Sequence, residues 1–270
     1  MRHTLESEPP TPRELGPVNW LGLWTLYSKE VRRFLKVHFQ TIFAPVVTTL
    51  LFLAVFALAL GRAVQDVGGV SFLEFLAPGL IMMAMVQNAF ANTSSSIIIS
   101  KVQGNIVDVL MPPLNAAEQT VAFALGGVTR GLVVGVAVTA CMALFVPLRA
   151  HAPLLILYHA FMASLMLSLL GMIGGIWADK FDHMAAVTNF LITPLSFLSG
   201  TFYSLERLPE TFRLLAHLNP FFYMIDGFRY GFIGYADGQI GVGVAVMFSA
   251  NAVLGAIAYL MFATGYKLKA

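Results

Sequence analysis

Long, unbroken apolar runs alternate with short polar segments along this 270-residue chain. Most of these runs approach or exceed the roughly 20 residues that an α-helix needs to cross a bilayer. A membrane β-barrel would instead show alternating apolar and polar positions in segments of about ten residues. The pattern therefore predicts an all-α polytopic membrane protein with six transmembrane helices. Their expected positions are Ile42–Gly61, Phe72–Ile98, Gln119–Val146, Pro153–Ala178, Met184–Tyr203 and Gly241–Tyr266.

Composition agrees with a membrane location. The chain is 58% hydrophobic and 11% charged, whereas soluble domains are about 45–50% apolar and about 25% charged. The single cysteine, Cys141, lies in an apolar run and is expected to be an inert, packed thiol.

The basic residues favour one side of the predicted topology. Ten of them fall at the two termini, between the second and third spans, or between the fourth and fifth spans: all six lysines with Arg2, Arg13, Arg32 and Arg33. The opposite segments hold five, which are Arg62, Arg149, Arg207, Arg213 and Arg229. The positive-inside rule then places both termini in the cytoplasm.

The segment before the first span divides into a tail and a helix. Residues 1–18 are rich in Pro and Glu and are expected to form a disordered cytoplasmic tail, leaving 19–270 as one transmembrane domain. Residues 19–40 place Trp20, Trp24 and Leu35 on one face of a helix and Lys29, Arg33 and Lys36 on another. This pattern predicts an amphipathic helix in the headgroup layer, with its basic face toward anionic lipid. It is either a membrane anchor alone or also a contact for a cytosolic partner.

Between the fifth and sixth spans lies the polar stretch GTFYSLERLPETFRLLAHLNP, residues 200–220. Its apolar and polar residues fall on opposite sides of a helix: Leu208, Phe212 and Leu215 against Glu206, Glu210, Arg213 and His217. The stretch is too short to cross the bilayer, so we expect helices that re-enter the outer leaflet. Just beyond it, Asp226 and Arg229 are spaced to pair on a second short helix.

Enzymatic motifs are missing from the sequence. It contains no G-x-x-x-x-G-K-[ST] phosphate loop, and no H-E-x-x-H, C-x-x-C or G-x-S-x-G pattern. Its six histidines are scattered, whereas a metal site needs converging ligands. We therefore expect no catalytic residue, no metal site and no bound cofactor in this chain.

Two groups of polar residues lie inside predicted spans. The second span carries VQNAFANTSSS, residues 86–96, and the third carries Arg130 within a stripe formed by Gly127, Gly131 and Gly135. Such residues either line a substrate path or make hydrogen bonds between closely packed helices. The candidate path residues are Asn88, Asn92, Thr93, Ser96 and Arg130.

Four segments in order resemble one family. These are FLAPGLIMM at 75–83, QGNIVDVLMPPLNAAEQ at 103–119, GGVTRGLVVGVAV at 126–138, and LSGTFYSLERLP followed by LNPFFYMIDGFRYGF. Together they resemble the membrane subunits of ABC-2 type transporters, specifically small bacterial inner-membrane permeases related to those that export nodulation factors. The resemblance covers nearly the whole chain from Trp20 onward.

The resemblance implies a transport subunit whose energy comes from elsewhere. Such permeases pair, as homodimers or with a close paralogue, and bind two copies of an ABC-type ATP-binding subunit, which holds the ATP and Mg²⁺. A cytosolic coupling helix is then expected over Lys101–Met111, with the apolar side of Ile106, Val109 and Leu110 docking into the partner. The coupling set is Gln103, Gly104, Asn105, Ile106, Asp108, Val109, Leu110 and Pro112. The expected outer gate comprises Glu206, Glu210, Arg213, Asn219, Asp226 and Arg229.

Alternative functions stay open at the level of sequence. The leading hypothesis is an exporter of a lipid-like, glycan or drug-like substrate in contact with membrane lipid and not with nucleic acid. A membrane-embedded lipid-modifying enzyme is the rival, and it would need acidic or histidine side chains that converge at one membrane face. A scaffold without transport activity is the third possibility.

Overall fold

The computed structural model describes residues 16–60, 66–67, 69–205 and 209–268. Most of the described chain is helical, as predicted. The helices are α1 (Trp20–Lys36), α2 (Ala44–Leu60), α3 (Phe72–Val102), α4 (Ile106–Leu110), α5 (Ala116–Met142), α6 (Pro153–Trp177), α7 (Phe181–Val187), α8 (Thr193–Phe197), α9 (Glu210–His217), α10 (Pro220–Ile233) and α11 (Ile240–Thr264). Two-residue strands β1 (Asp66–Val67) and β2 (Val70–Ser71) form an antiparallel hairpin before α3. Most of the predicted tail lies outside the described residues.

Five helical segments in the described part of the chain are long and apolar enough to cross a membrane. They are Phe39–Ala59, Phe72–Val102, Ala116–Met142, Pro153–Trp177 and Ile240–Thr264. These segments match five of the six predicted spans to within a few residues. The first begins in a π-helical turn, Phe39–Phe43, that joins α1 to α2.

The fifth predicted span is shorter than expected. Helix α7, a π-helical turn at Thr188–Ile192 and α8 follow one another without a gap over residues 181–197. Pro194 lies in the first turn of α8, directly after the π-helical turn. A wider turn accommodates a residue that lacks an N–H donor. The helix ends well before Tyr203, in a turn where Gly200 has a φ of +73°.

Helix α3 occupies the centre of the bundle. About 78% of its most apolar window is buried, compared with 17% for the first and last candidate spans. Helices α5 and α6 pack closely against α3, and the glycine stripe of α5 permits this approach. A Cβ atom at Gly131 would lie 2.8 Å from Ser164 Oγ and 3.1 Å from Met85 O. The predicted close packing along this stripe is therefore confirmed.

The two ends of the bundle differ in character. We call the end that carries α1, α4, residues 178–180 and the C-terminus the basic end; the β-hairpin, α9 and α10 lie at the opposite end. Helix α10 is almost entirely buried against α3, α6 and α11, whereas the side chains of α9 are mostly exposed. The two short helices between α8 and α11 therefore have different environments.

Candidate functional site

The segment predicted to couple to a partner contains a short helix, α4, which follows directly from α3. Gly104, with a φ of +74°, makes the turn between them. The surrounding polar and proline residues are exposed, as a docking segment requires: Gln103, Gly104, Asn105, Asp108 and Pro112.

The orientation of α4 contradicts the predicted docking face. Ile106 and Val109 are buried in the chain's own core, in a cluster with Leu26 and Leu268, and Leu110 is half-buried against that cluster. These side chains pack mainly inside the chain and do not form the exposed face of α4. The exposed apolar side chains are instead Val107 at 53% and Met111 at 76%. Val107 and Met111 also have i, i+4 spacing, so periodicity in so short a helix does not decide between the two faces.

A groove of about 950 Å³ separates α1 from α4 and the adjoining end of α3. Its lining is mainly apolar and includes Trp20, Leu21, Val109 and Leu114, with Lys29 at one side. Helix α1 runs in the same direction as α5, because Asn19 meets Glu118 while Glu30 meets Gly126 further along both helices. Because Asp108 and Val109 of α4 also line the groove, the groove and α4 form one continuous surface at the basic end.

Glu118 fixes one edge of this surface. Its Oε1 atom accepts from the backbone N–H of Asn19 at 2.7 Å, and its Oε2 atom accepts from that of Asn115 at 2.8 Å. Asn115 Oδ1 accepts in return from the N–H of Glu118, completing a capping box at the start of α5. Sequence reasoning missed this residue, although the N-x-x-E spacing before an apolar run was the available signal.

An ion pair within α1 connects this helix to α3 through further hydrogen bonds. Glu30 is fully buried; its Oε2 atom lies 3.2 Å from Arg33 Nη2, and its Oε1 atom accepts from Ser96 Oγ at 2.7 Å. Arg33 also donates to the carbonyl and side-chain oxygens of Asn92 at 2.6 and 3.1 Å, and to Ser95 Oγ at 3.2 Å. Arg33 therefore points into the bundle, and its predicted place on a lipid-facing basic face is wrong. The sequence did not predict this pair, because only the packing of α1 against α3 shows which groups contact Glu30.

The candidate path residues separate into two groups. Asn92, Thr93 and Ser96 are buried between helices; Thr93 Oγ1, for example, donates to Ser168 O at 2.7 Å. In this structure they make hydrogen bonds between helices, and their place on a substrate path stays a prediction. Asn88 and Arg130 are half-buried, and Arg130 Nη2 donates to Asn88 Oδ1 at 2.9 Å.

Asn88 belongs to a groove on the outside of α3. Two adjoining cavities of about 450 and 420 Å³ share Gln87, Asn88 and Thr193. They lie between α2 on one side and the helix over residues 181–197 on the other. Amides and hydroxyls here alternate with apolar side chains such as Phe52 and Phe197, which suits an amphipathic molecule.

The predicted outer-gate residues are also divided by the structure. Glu206 lies outside the described residues, while Glu210 and Arg213 are exposed on α9. Asn219 is buried; its amide nitrogen donates to Leu195 O at 3.2 Å and to Ser199 Oγ at 3.1 Å.

Asp226 and Arg229 do not form the predicted ion pair. Asp226 accepts from the backbone N–H groups of Asp237 and Gly238 at 2.8 and 3.0 Å. Arg229 donates instead to the carbonyls of Phe75, Gly200 and Thr201 at 3.2, 2.7 and 3.4 Å. Each side chain is recruited by backbone groups of another segment, which the spacing along one helix does not reveal.

Arg229 and Asp237 connect the segments around α10. The guanidinium of Arg229 is fully buried and lies 3.8 Å from the centroid of the Phe75 ring. Asp237, which sequence reasoning passed over as a site residue, accepts from Ser204 Oγ at 2.5 Å and from Tyr235 OH at 2.9 Å. Within the described residues, no group of three or more His, Cys, Asp or Glu side chains is close enough to hold a metal ion.

Comparison with known proteins identifies the class of this molecule. A family model for the ABC-2 type transporter matches residues 22–233. The chain therefore belongs to the ABC-2 type transporter family, and it is a multi-pass inner-membrane protein. ABC-2 permeases work with ATP-binding subunits.

Individual relatives agree with the family assignment. The chain is 40% identical over 218 residues to the inner membrane transport permease YadH of Escherichia coli strain K12, covering 81% of this chain and 85% of that protein. It is 24% identical over 234 residues to nodulation protein J of Rhizobium leguminosarum bv. viciae, covering 86% and 89% respectively. Nodulation protein J of Rhizobium meliloti is 23% identical over 235 residues.

Proposed function

We propose that this chain is the permease subunit of an ABC exporter, with two permease copies driven by two copies of a separate ATP-binding subunit. ATP and Mg²⁺ then bind in that partner, and this chain needs no cofactor of its own. The observation that carries the proposal is α4: its buried side anchors it to the bundle, while Val107 and Met111 remain exposed at the basic end. An exposed apolar pair on an anchored helix is suited to a groove in a partner.

The proposal includes a six-span topology with the basic end in the cytoplasm. The helix over residues 181–197 is about 25 Å long at 1.5 Å per residue, close to the hydrocarbon thickness, so it serves as the fifth span. An even number of spans places both termini on the cytoplasmic side, with residues 1–18 as a tail and 19–270 as the transmembrane domain. Helices α9 and α10 then re-enter from the outer face.

Substrate passes, in this proposal, along the groove that contains Gln87, Asn88 and Thr193. A second permease copy facing α2 and the 181–197 helix would enclose the groove and exclude lipid from its polar lining. The mixture of amide, hydroxyl and aromatic side chains favours a lipid-like, glycan or drug-like substrate. The segments around Arg229 and Asp237 form the outer gate.

The rival function, a lipid-modifying enzyme, gains no support from the opposite end of the bundle. Among the described carboxylates there, Asp226 is buried and Asp237 is half-buried, and both already accept hydrogen bonds from backbone or hydroxyl groups. A general acid or base would need to reach a substrate proton.

Association with the ATP-binding subunit tests the proposal. We expect Val107→Asp with Met111→Asp to reduce co-purification of that subunit from detergent-solubilised membranes by at least about tenfold, since burying an unpaired charge costs more than 1.4 kcal/mol. Val107→Ile with Met111→Leu is the matched control and should retain the partner. Unchanged association of the double aspartate variant at normal membrane levels would overturn α4 as the docking element.

A further inference from the structure

The chain turns back on itself after its last helix. Helix α11 ends at Thr264, and Gly265 then adopts a φ of +67°. Lys267 has a φ of +51° and is the one non-glycine residue with positive φ in the described part of the chain. A non-glycine side chain in this conformation is strained and persists where its surroundings hold it. The turn returns Leu268 to the bundle, where it is 4% exposed.

An ionic cluster holds this turn in place. Lys267 Nζ lies 2.8 Å from Asp179 Oδ2, donates to Trp177 O at 3.0 Å, and lies 5.7 Å from the Trp177 ring centroid. Asp179 Oδ1 lies 3.6 Å from Lys101 Nζ on α3. Lys101 Nζ in turn donates to the carbonyls of Ile176 and Ala178, both at 2.6 Å. The cluster therefore connects the end of α3, the end of α6 and the C-terminus.

This cluster lies beside α4 and shares a cavity with it. A cavity of about 610 Å³ is lined by Lys101, Asp179, Lys267 and Leu268 on one side and by Gly104, Ile106, Val107, Leu110 and Met111 on the other. Leu268 belongs to the same buried cluster as Ile106 and Val109. The C-terminal turn therefore contributes to the surface on which α4 rests.

Helix α4 depends on such support because it has little stability of its own. It spans five residues, and Asn105 at its N-cap position makes no side-chain capping bond. An isolated helix of this length does not form in water. The conformational entropy lost in nucleating it outweighs the free energy gained from a single turn of hydrogen bonds. Its position is set by the side chains beneath Ile106 and Val109.

We propose that the C-terminal brace, defined as residues Gly265–Leu268 with the Asp179–Lys267 ion pair, positions α4 for contact with the ATP-binding subunit. Asp179, Lys267 and Leu268 are positioning residues that act through α4, and none of them needs to touch the partner. The inference rests on the proposed function only for the identity of what docks on α4. An exposed ion pair contributes little to global stability, so its loss should move the turn and α4 while the bundle stays folded.

The exposure of Ile106 tests the brace without any ATP-binding subunit. In a Cys141→Ala background, a cysteine at the buried position, Ile106→Cys, should react slowly with a membrane-impermeant maleimide in inside-out vesicles. Adding Lys267→Met should raise the labelling rate by about fivefold. Loss of one well-placed ion pair should increase by that factor the population of molecules in which the Ile106 position is exposed. Leu268→Asp should raise it further. Lys267→Arg should preserve the slow rate because it keeps the ion pair.

A second reporter distinguishes local movement from unfolding. Ala77→Cys, fully buried in α3 towards the opposite end, should stay unreactive in every variant. Unchanged labelling of the Ile106 position in both Lys267→Met and Leu268→Asp would overturn the brace, as would equal exposure of both reporters.

The same variants separate the brace from the proposed function. If Lys267→Met exposes the Ile106 position and weakens association with the ATP-binding subunit, both inferences are supported. If it exposes that position while Val107→Asp with Met111→Asp leaves association intact, the brace stands and docking through α4 fails. If the aspartate pair abolishes association but Lys267→Met changes neither labelling nor association, docking stands and the brace fails.

Discussion

At the scale of single residues, the features that stand out are charges placed where neither lipid nor water surrounds them. Glu30 and Arg229 are both essentially inaccessible, yet each has several hydrogen-bond partners. Burying a charge is costly unless it is paired and hydrogen-bonded. Each of these side chains therefore ties together segments that would otherwise separate, and removal of either one leaves its partners unsatisfied.

Glu30→Ala should markedly lower the free energy of unfolding of the protein. It leaves the Arg33 guanidinium without its carboxylate, and breaking a buried pair costs about 3–5 kcal/mol; because Arg33 is 30% exposed, the lower end applies. Thermal unfolding in detergent measures the effect. Lys29→Ala removes the adjacent, exposed charge on the same helix and should have little influence. Equal melting temperatures for the two variants would contradict a structural role for the Glu30–Arg33 pair.

Arg229→Lys should loosen α10 although it keeps the positive charge. Lysine lacks the planar fork that reaches several carbonyls and lies over the Phe75 ring, so at least one buried carbonyl loses its donor at a cost of about 1–3 kcal/mol. Hydrogen exchange of amides within Pro220–Ile233 should become faster. Arg213→Lys on exposed α9 is the matched control. Identical exchange in both variants would argue against Arg229 as the anchor of α10.

At the scale of elements, short helices take their position from what lies beneath them. Helix α4 shows this directly, because its apolar residues allow two faces and the bundle selects one. The C-terminal turn is similar: Leu268 is buried only because Lys267 and Asp179 bring the chain back. Neither element has enough internal hydrogen bonding to form alone.

The ion pair of the C-terminal turn should be insensitive to pH near neutrality. The hydrogen bond from Lys267 lowers the pKa of Asp179, with smaller favourable contributions from the charges of Lys267 and Lys101, and the same bond raises the pKa of Lys267. A carboxyl group whose pKa is lowered on folding stabilises the folded state at pH values above its ordinary pKa. That contribution is lost as the pH falls through the pKa of the folded state. An amine whose pKa is raised on folding stabilises the folded state at pH values below its ordinary pKa. That contribution is lost as the pH rises through the pKa of the folded state.

The window between these two limits includes the whole neutral range. Hydrogen exchange of residues 265–268, corrected for the intrinsic rate, should therefore be constant there and increase only in strong acid or strong base. In Lys267→Met the corrected exchange should be uniformly faster. A transition near neutral pH in the unmodified protein would show that another group controls the turn.

At the scale of the whole molecule, the two ends of the bundle differ in how open they are. The basic end carries α1, α4 and the C-terminal turn around open grooves, while α10 at the opposite end is buried against three helices. Between them, the groove on α3 remains open to the side, where α2 exposes most of its apolar surface. A permease that pairs through this side would hold its path between two copies.

The orientation of the molecule can be measured directly. With Cys141→Ala as background, Asn105→Cys should react with an impermeant thiol reagent only from the cytoplasmic side, and Glu210→Cys only from the outer side. Both residues are exposed, so a failure to react from one side will reflect the membrane barrier and not burial of the side chain. Reaction of both from one side would overturn the six-span topology and the outer gate together.

The sequence by itself determined the class of protein, the course of five apolar helices and the existence of the segments at α4 and at α9 and α10. These features follow from local hydrophobicity, charge and spacing, which the chain carries residue by residue. Tertiary structure decided which side of α4 faces inward, where Glu30 and Arg33 lie, and which groups Asp226 and Arg229 bind. Arg229 meets the carbonyl of Phe75 across 154 residues of chain. Partners so far apart are brought together only by helix packing, because spacing within one helix constrains neighbours three or four residues away and no others.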